Sequence, residues 1–322
     1  MIGKEYERRG QEQDRTSHPP PGTLVDIGGR RLHVQKQGSG GPTVVLESGI
    51  AATCLSWRLV DHQIAKFATV YSYDRAGFGW SPYSSRPKIA RGLVEEMRQA
   101  MAAAGAPTPR IVVGHSYGGM LMRMYAAMYP QEVSAVVLVD ALPPEEWFPL
   151  DSRRTSILTH ARQLARRGIW LADRGVVRYA LNAVGEGRTL VPRILSMLGG
   201  VAGVQASSRV GSFILKLPMQ TRQEIRSHWS RADSFRSMGE YLTDLPASCA
   251  QAQLCDNLYD IPLIVLSAEY GKSGHQGRQA KLAKLSTRGD FRVCSGTTHW
   301  VMLDDPACVV DAVKDCIEAS RA

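Results

Sequence analysis

The sequence predicts an α/β protein: a mostly parallel sheet covered by helices on both faces, with a helical segment inserted before its last strands. Three observations carry that prediction. Short apolar runs alternate with stretches of helical periodicity from residue 43 onward. The runs are apolar throughout, as strands buried on both faces are. Residues 146 to 245 then break the alternation and hold no convincing strand.

The elements follow in order. Residues 22 to 38, GTLVDIGGRRLHVQKQG, read as two strands joined at Gly28-Gly29, a hairpin suited to an edge of the sheet. TVVLES (43 to 48) is an apolar strand ending at Gly49, and helical spacing runs from Trp57 to Phe67. ATVYSYDRAGFGWS supplies a strand and a glycine-rich loop, and Leu93, Val94, Met97 and Met101 mark a helix over 89 to 104. Ile111, Val112 and Val113 form a short strand, followed by Leu121, Met122, Met124, Tyr125 and Met128 at helical spacing. VSAVVLVDALPP is a strand ending at Asp140; IPLIVLSAE and GDFRVCSGTTHW are the last two strands, and residues 306 to 320 a closing helix.

Inside the insertion, three amphipathic helices are expected. Ile157, Leu158, Ala161, Leu164 and Ala165 mark the first, Val176, Val177, Ala180, Leu181 and Val184 the second, and Leu190, Val191, Ile194, Leu195 and Leu198 the third. The predicted organisation is a core of residues 22–145 and 246–322, a helical cap over 146–245 inserted after the sixth main strand, and a polar mobile tail over 1–21 with at most a turn or two of helix.

Composition bounds the function. With 44% hydrophobic and 21% charged residues the chain is an ordinary globular one. It has no run of eighteen apolar residues, and its first twenty residues lack an apolar signal core, so a cytoplasmic protein without a membrane span is expected. The net charge of +9 is concentrated: residues 151 to 245 carry +8 and the remainder +1. No aromatic-interleaved basic patch accompanies it, so nucleic acid is not an expected partner. Arg153, Arg154, Arg162, Arg166 and Arg167 flank amphipathic stretches containing Trp170, Leu171 and Leu198, a pattern suited to weak contact with an anionic membrane surface or an acidic substrate. The competing reading makes the arginines a solvated outer face over an apolar cover. The six cysteines form no CxxC pair and no histidine cluster joins them, so no metal is expected. Free buried thiols are the expectation, with Cys249 and Cys255 as a pair that could bridge a loop.

The chemistry centres on IVVGHSYGGM, residues 111 to 120. A serine between two glycines at a strand-to-helix junction is a turn in which the hydroxyl stands above the sheet and side chains at 114 and 118 would collide. The helix behind it aims free N–H groups at the same spot, which suits a developing negative charge. Ser116 needs a base, and the base an orienting acid. Of the eight histidines, His299 stands on a loop after a strand end, where it can converge with Ser116; His18, His33, His62, His115, His160, His228 and His275 read as surface or packing residues.

GHSYGG, SYDRAGFGWS, the strand-end ESG and the late SGTTHW together resemble the α/β-hydrolase fold family with a helical lid, over about residues 22 to 145 and 246 to 322. The resemblance implies acyl-bond hydrolysis by a serine, an acid and a histidine in that chain order, without a cofactor. It also implies an oxyanion hole from the backbone N–H groups of Ile50 and Tyr117. The usual acid position, after the strand before the histidine strand, holds Gly271, with Glu269 the one carboxylate nearby. A second family arrangement puts the acid one strand earlier, at Asp140, which is preferred; Glu269 is the alternative, and a helix or turn cap is the structural reading of Asp140. Asp74 reads as a cap or ion-pair partner. A serine nucleophile excludes the dehalogenases and epoxide hydrolases of this fold, which use aspartate. The expected substrate is a small acyl compound, an ester or lactone first. A cofactor-free peroxidase or an amidase with the same residues, and a non-catalytic ligand-binding protein, are the alternatives.

Overall fold

The structure is a computed structural model that describes residues 3–185, 214–271 and 273–321. Eight strands form one sheet in the order β1–β2–β4–β3–β5–β6–β7–β8. Their ranges are β1 Thr23–Asp26, β2 Arg31–Gln37, β3 Thr43–Glu47, β4 Thr69–Tyr73, β5 Arg110–His115, β6 Val133–Val139, β7 Leu263–Ala268 and β8 Gly289–Cys294. The first two make an antiparallel hairpin, and β2 pairs antiparallel with β4; every later pairing is parallel. The hairpin turns where expected, with Gly28 and Gly29 at φ +80° and +81° and their N–H groups donated to the Asp26 carboxylate.

Helix α1 is Lys4–Ser17, α2 Asp61–Ile64, α3 Ala90–Ala103, α4 Tyr117–Met128, α5 Ser152–Asp173, α6 Val176–Gly185, α7 Met219–Trp229, α8 Ala232–Gln253, α9 His275–Ala283, α10 Val301–Asp304 and α11 Pro306–Ala319. Two apolar layers sandwich the sheet. One packs α3, α4 and the second half of α8 on β5 to β7 through residues such as Met97, Leu121 and Leu245. The other packs Trp57, Ile64 and α11 on the opposite face. Both faces of β3 to β7 are therefore dry, which is why those strands are mostly apolar. β8 departs from the pattern: it is the sheet's outer strand, and Gly289, Asp290 and Val293 are exposed.

Between β6 and β7 the described residues are helical. Asp151 opens α5 by accepting the N–H of Arg154 at 2.6 Å. The helices expected around Ile157–Ala165 and Val176–Val184 are α5 and α6; the one expected over Leu190–Leu198 lies outside the described residues. The boundary expected at 245/246 falls inside α8, which continues through Pro246 to Gln253. A proline removes one helical hydrogen bond, but Tyr241, Leu245, Cys249 and Ala252 keep one buried stripe across it. That far half belongs to the core: Ser248 Oγ accepts from Ala90 N at 3.0 Å, and Gln251 Oε1 accepts from Arg91 N at 2.9 Å. Trp170 on α5 is exposed, with the Arg174 guanidinium 4.0 Å above its ring. Among the described residues no helix is long and apolar enough to cross a membrane.

The mobile tail expected over 1–21 is instead helix α1, docked on α6. Arg178 pairs with Glu7 at 2.9 Å and with Asp14 at 2.6 Å, and Arg178 and Glu7 are 5% and 4% exposed. Polar composition hid this, because the anchoring side chains are charged. Removing Arg178 leaves a buried carboxylate unpaired, which typically costs about 3 kcal/mol or more. The strain is relieved by letting α1 go, so Arg178→Ala is expected to speed tryptic cleavage at Arg8, Arg9 and Arg15 by about tenfold or more while the core melts as before. Unchanged cleavage would show that α1 is held by something else.

The cysteines also differ from expectation. Cys294, at the end of β8, is bonded to Cys308 in α11, while Cys249 and Cys255 are free. Cys249 faces Met120 in the core, and burial pushes its thiol up to about 12. The expectation of free thiols holds for Cys54, Cys249, Cys255 and Cys316 and fails for the Cys294–Cys308 pair.

Candidate active site

Ser116 stands between β5 and α4 with φ 54° and ψ −121°, a strained backbone for a residue with a side chain. Close approach enforces the glycines around it. A Cβ on Gly114 would lie 2.5 Å from Gly118 O, and one on Gly118 would lie 2.5 Å from the carbonyl oxygens of Glu47 and Ser48. The end of β3 is thereby pressed against the start of α4, and the Ile50 and Tyr117 N–H groups follow directly on these two segments. Tyr117 is the first residue of its helix, where N–H groups have no partner within the helix. Arg75 fastens the strand end: its guanidinium pairs with buried Glu47 and donates to Ser48 O at 2.7 Å and to Gly49 O.

His299 lies on the loop between β8 and α10. Its Nε2 is 3.1 Å from Ser116 Oγ and its Nδ1 is 2.6 Å from Asp140 Oδ2. A carboxylate can only accept, so Nδ1 carries the proton and the Nε2 lone pair faces the hydroxyl. Asp140 follows β6 with φ 42°, its N–H donated to Leu266 O at 2.7 Å. Its side chain is 2% exposed. Burial alone would raise its pKa; hydrogen bonds from His275 and His299, with the Ala268 N–H, outweigh that and hold it below the usual carboxylate range.

Glu269 is exposed and accepts the Gly296 N–H at 2.6 Å, so the loop before His299 rests on it, while the His299 ring goes to Asp140. Asp74 is buried and takes hydrogen bonds from Cys54 N, Trp80 N and His33 Nδ1. Among the described residues, His33, Cys54 and Asp74 are the one set of metal-ligating types close enough to share an ion. Asp74 is already spent on three donors and burial pushes the Cys54 thiol well up, so the set is a hydrogen-bonded plug.

Two histidines read as packing residues prove to touch this chain of groups. His115 Nε2 donates to His299 O at 2.8 Å, and burial with the adjacent His299 ring pushes its imidazole down to about 3, so it is neutral. His275 Nε2 lies 2.6 Å from Asp140 Oδ1. The glycine at the usual acid position makes room for this ring: a Cβ on Gly271 would lie 2.7 Å from His275.

The Cys294–Cys308 bond brackets the His299 loop, which Asp304 further ties through Thr298 N and Oγ1. Closing a loop of this length is worth about 3 kcal/mol on chain-entropy grounds. Reduction, or Cys308→Ser, is expected to lower the melting temperature and to lower kcat more than it raises KM, because His299 rides on the loop. Full activity in wild-type protein shown by thiol titration to be reduced would refute this link.

The family profile described as alpha/beta hydrolase fold matches residues 42–306. The YbdG protein of Bacillus subtilis is 31% identical over 128 residues, 39% of this chain and 39% of its own length. The chain thus spans well under two thirds of that relative. The Mb2734 protein of Mycobacterium bovis is 24% identical over 310 residues, covering 94% of this chain and 83% of its own. Among solved structures, the enol-lactonase of Burkholderia xenovorans LB400 superposes with a TM-score of 0.63 at 16% identity, over 92% of this chain and 100% of that one. At such identity the likeness is one of fold.

Proposed function

The chain belongs to the α/β-hydrolase fold family, and from that premise we propose that it is a serine hydrolase cleaving a carboxylic ester, a lactone or a related acyl bond. The observation that carries this is the unbroken run of hydrogen bonds from Ser116 Oγ through the His299 ring to Asp140. Ser116 attacks the acyl carbon as His299 Nε2 takes its proton, and the ionised Asp140 supports the cation that forms. The N–H groups of Ile50 and Tyr117 receive the oxyanion. His299 returns the proton to the leaving group. Water, deprotonated by His299, then attacks the acyl-serine, and His299 passes that proton to Ser116 Oγ as the acid leaves. Arg75, by gripping the carbonyls of Ser48 and Gly49, keeps the Ile50 donor in place. The cap would supply the substrate pocket.

The reading is tested by covalent trapping. A serine-directed fluorophosphonate is expected to add one equivalent, mapped by mass spectrometry to the peptide holding Ser116, and to block hydrolysis of a short p-nitrophenyl ester in proportion. Adduct formation elsewhere, or hydrolysis that survives full labelling, would contradict it.

A further inference from the structure

Asp140 is held by two imidazoles. His299 Nδ1 binds Oδ2 and His275 Nε2 binds Oδ1, each at 2.6 Å, and the Ala268 N–H also reaches Oδ1 at 2.9 Å. His275 opens α9 directly after Gly274, which sits at φ +72°, and its ring packs on Gly271. Its side chain is 16% exposed against 50% for His299. The mechanism derived above uses only His299.

We propose that His275 is a positioning residue of this site, holding the Asp140 carboxylate with Oδ2 towards His299 and, through its own charge, setting how far into acid the site can work. The proposal rests on the serine-hydrolase reading. Its first half is geometric. The last torsion of an aspartate is soft and roughly two-fold. Two donors on Oδ1, one from the backbone of β7 and one from α9, fix the carboxylate plane. Losing the side-chain donor lets the plane turn and the His299 ring with it.

The second half is electrostatic. The charged groups bearing on His275 are Asp140 at the end of β6, Glu146 in the turn after it, and Arg278 one turn along α9, which is itself paired with Glu146 at 2.8 Å. His299 faces the same carboxylate from the β8 side. The hydrogen bond to Asp140 raises the pKa of His275 above its ordinary value. One carboxylate then faces two imidazoles. While His275 is protonated, a further positive charge on the other side of the same carboxylate is disfavoured, so the site keeps working further into acid. Replacing His275 by a neutral donor removes that restraint.

The experiment compares wild type, His275→Gln, His275→Ala and Ser116→Ala. It reads kcat and KM for p-nitrophenyl butyrate, and the rate of fluorophosphonate labelling, from about pH 5 to about pH 9, across the range where histidine titrates. Gln keeps an N–H at about the place of Nε2 and cannot charge. His275→Ala is expected to lose about tenfold in kcat at unchanged KM. His275→Gln is expected to recover most of that loss, but with the midpoint of its acid limb about one pH unit higher. Wild-type kcat and wild-type profiles in both variants, with Ser116→Ala inactive, would overturn the role of His275 and leave the hydrolase reading standing. Hydrolysis retained by Ser116→Ala would overturn the hydrolase reading and this inference with it. Should His275→Ala fail to fold, the profile of His275→Gln decides alone: a shifted acid limb supports the role, an unshifted one ends it.

Discussion

Ser116→Ala is expected to lower kcat for a short ester by roughly 10⁴- to 10⁶-fold, the scale on which removal of a serine nucleophile acts. The size follows from the sequence of bonds at the elbow. His299 Nε2 has one partner towards the substrate side, the Ser116 hydroxyl at 3.1 Å. Without that oxygen the base has nothing to activate except water, and no acyl-enzyme forms. Alanine keeps the backbone strain and the packing, so binding and melting temperature should hardly move. A paired variant separates chemistry from fold. Ser116→Gly loses the same hydroxyl but relieves the φ of +54°, so it should be equally inactive and more stable by about 1 kcal/mol. Initial rates and thermal melts on the three proteins check both halves. An alanine variant within about a hundredfold of wild type would mean that another group is the nucleophile.

Much of this site could be read before the structure because its logic is local. The elbow needs Gly114 and Gly118 within a few residues of Ser116, and β5, β6 and β7 are buried on both faces, so each carries a short apolar run. Parallel strands deliver Asp140 and the His299 loop to one end of the sheet, which a strand-end position already indicates. What was hidden is long-range and polar. The grip of Arg75 on Ser48 and Gly49, the contact of His275 with Asp140 and the anchoring of α1 by Arg178 each join charged or polar groups far apart in the chain. A charged residue looks the same in sequence whether it is solvated or buried against a partner. The Cys294–Cys308 bond escaped for a related reason: both cysteines sit in elements whose apolar pattern already accounts for them, and no spacing rule joins the end of β8 to the first turn of α11.

The choice of acid carries the second large expected effect. Asp140→Asn should lower kcat by roughly 10⁴-fold, the cost of mis-setting the histidine's tautomer and losing its counter-charge. The donors around the carboxylate say why. Oδ1 receives Ala268 N–H and His275 Nε2, and Oδ2 receives His299 Nδ1. An asparagine offers one oxygen and one NH₂. If its oxygen stays with the backbone N–H, the NH₂ meets His299 and forces the proton onto Nε2, where it blocks the serine. If it turns to satisfy His299, two donors lose their acceptor in a buried site, at about 1–3 kcal/mol each. In the wild-type protein the pKa of Asp140 lies below the usual carboxylate range, so the acid stays ionised at neutral pH and the contrast with asparagine is one of charge as well as of shape. By the same linkage, the stability that Asp140 contributes is present above the ordinary carboxylate pKa and is lost only as pH falls through its lowered value. Glu269→Gln should behave differently. The amide oxygen can still accept the Gly296 N–H, and the side chain is exposed, so activity is expected to stay within about twofold of wild type. Steady-state rates on the two variants at pH 7 to 8 discriminate sharply. A crippled Glu269→Gln beside an active Asp140→Asn would move the acid to the strand after the insertion and undo the assignment.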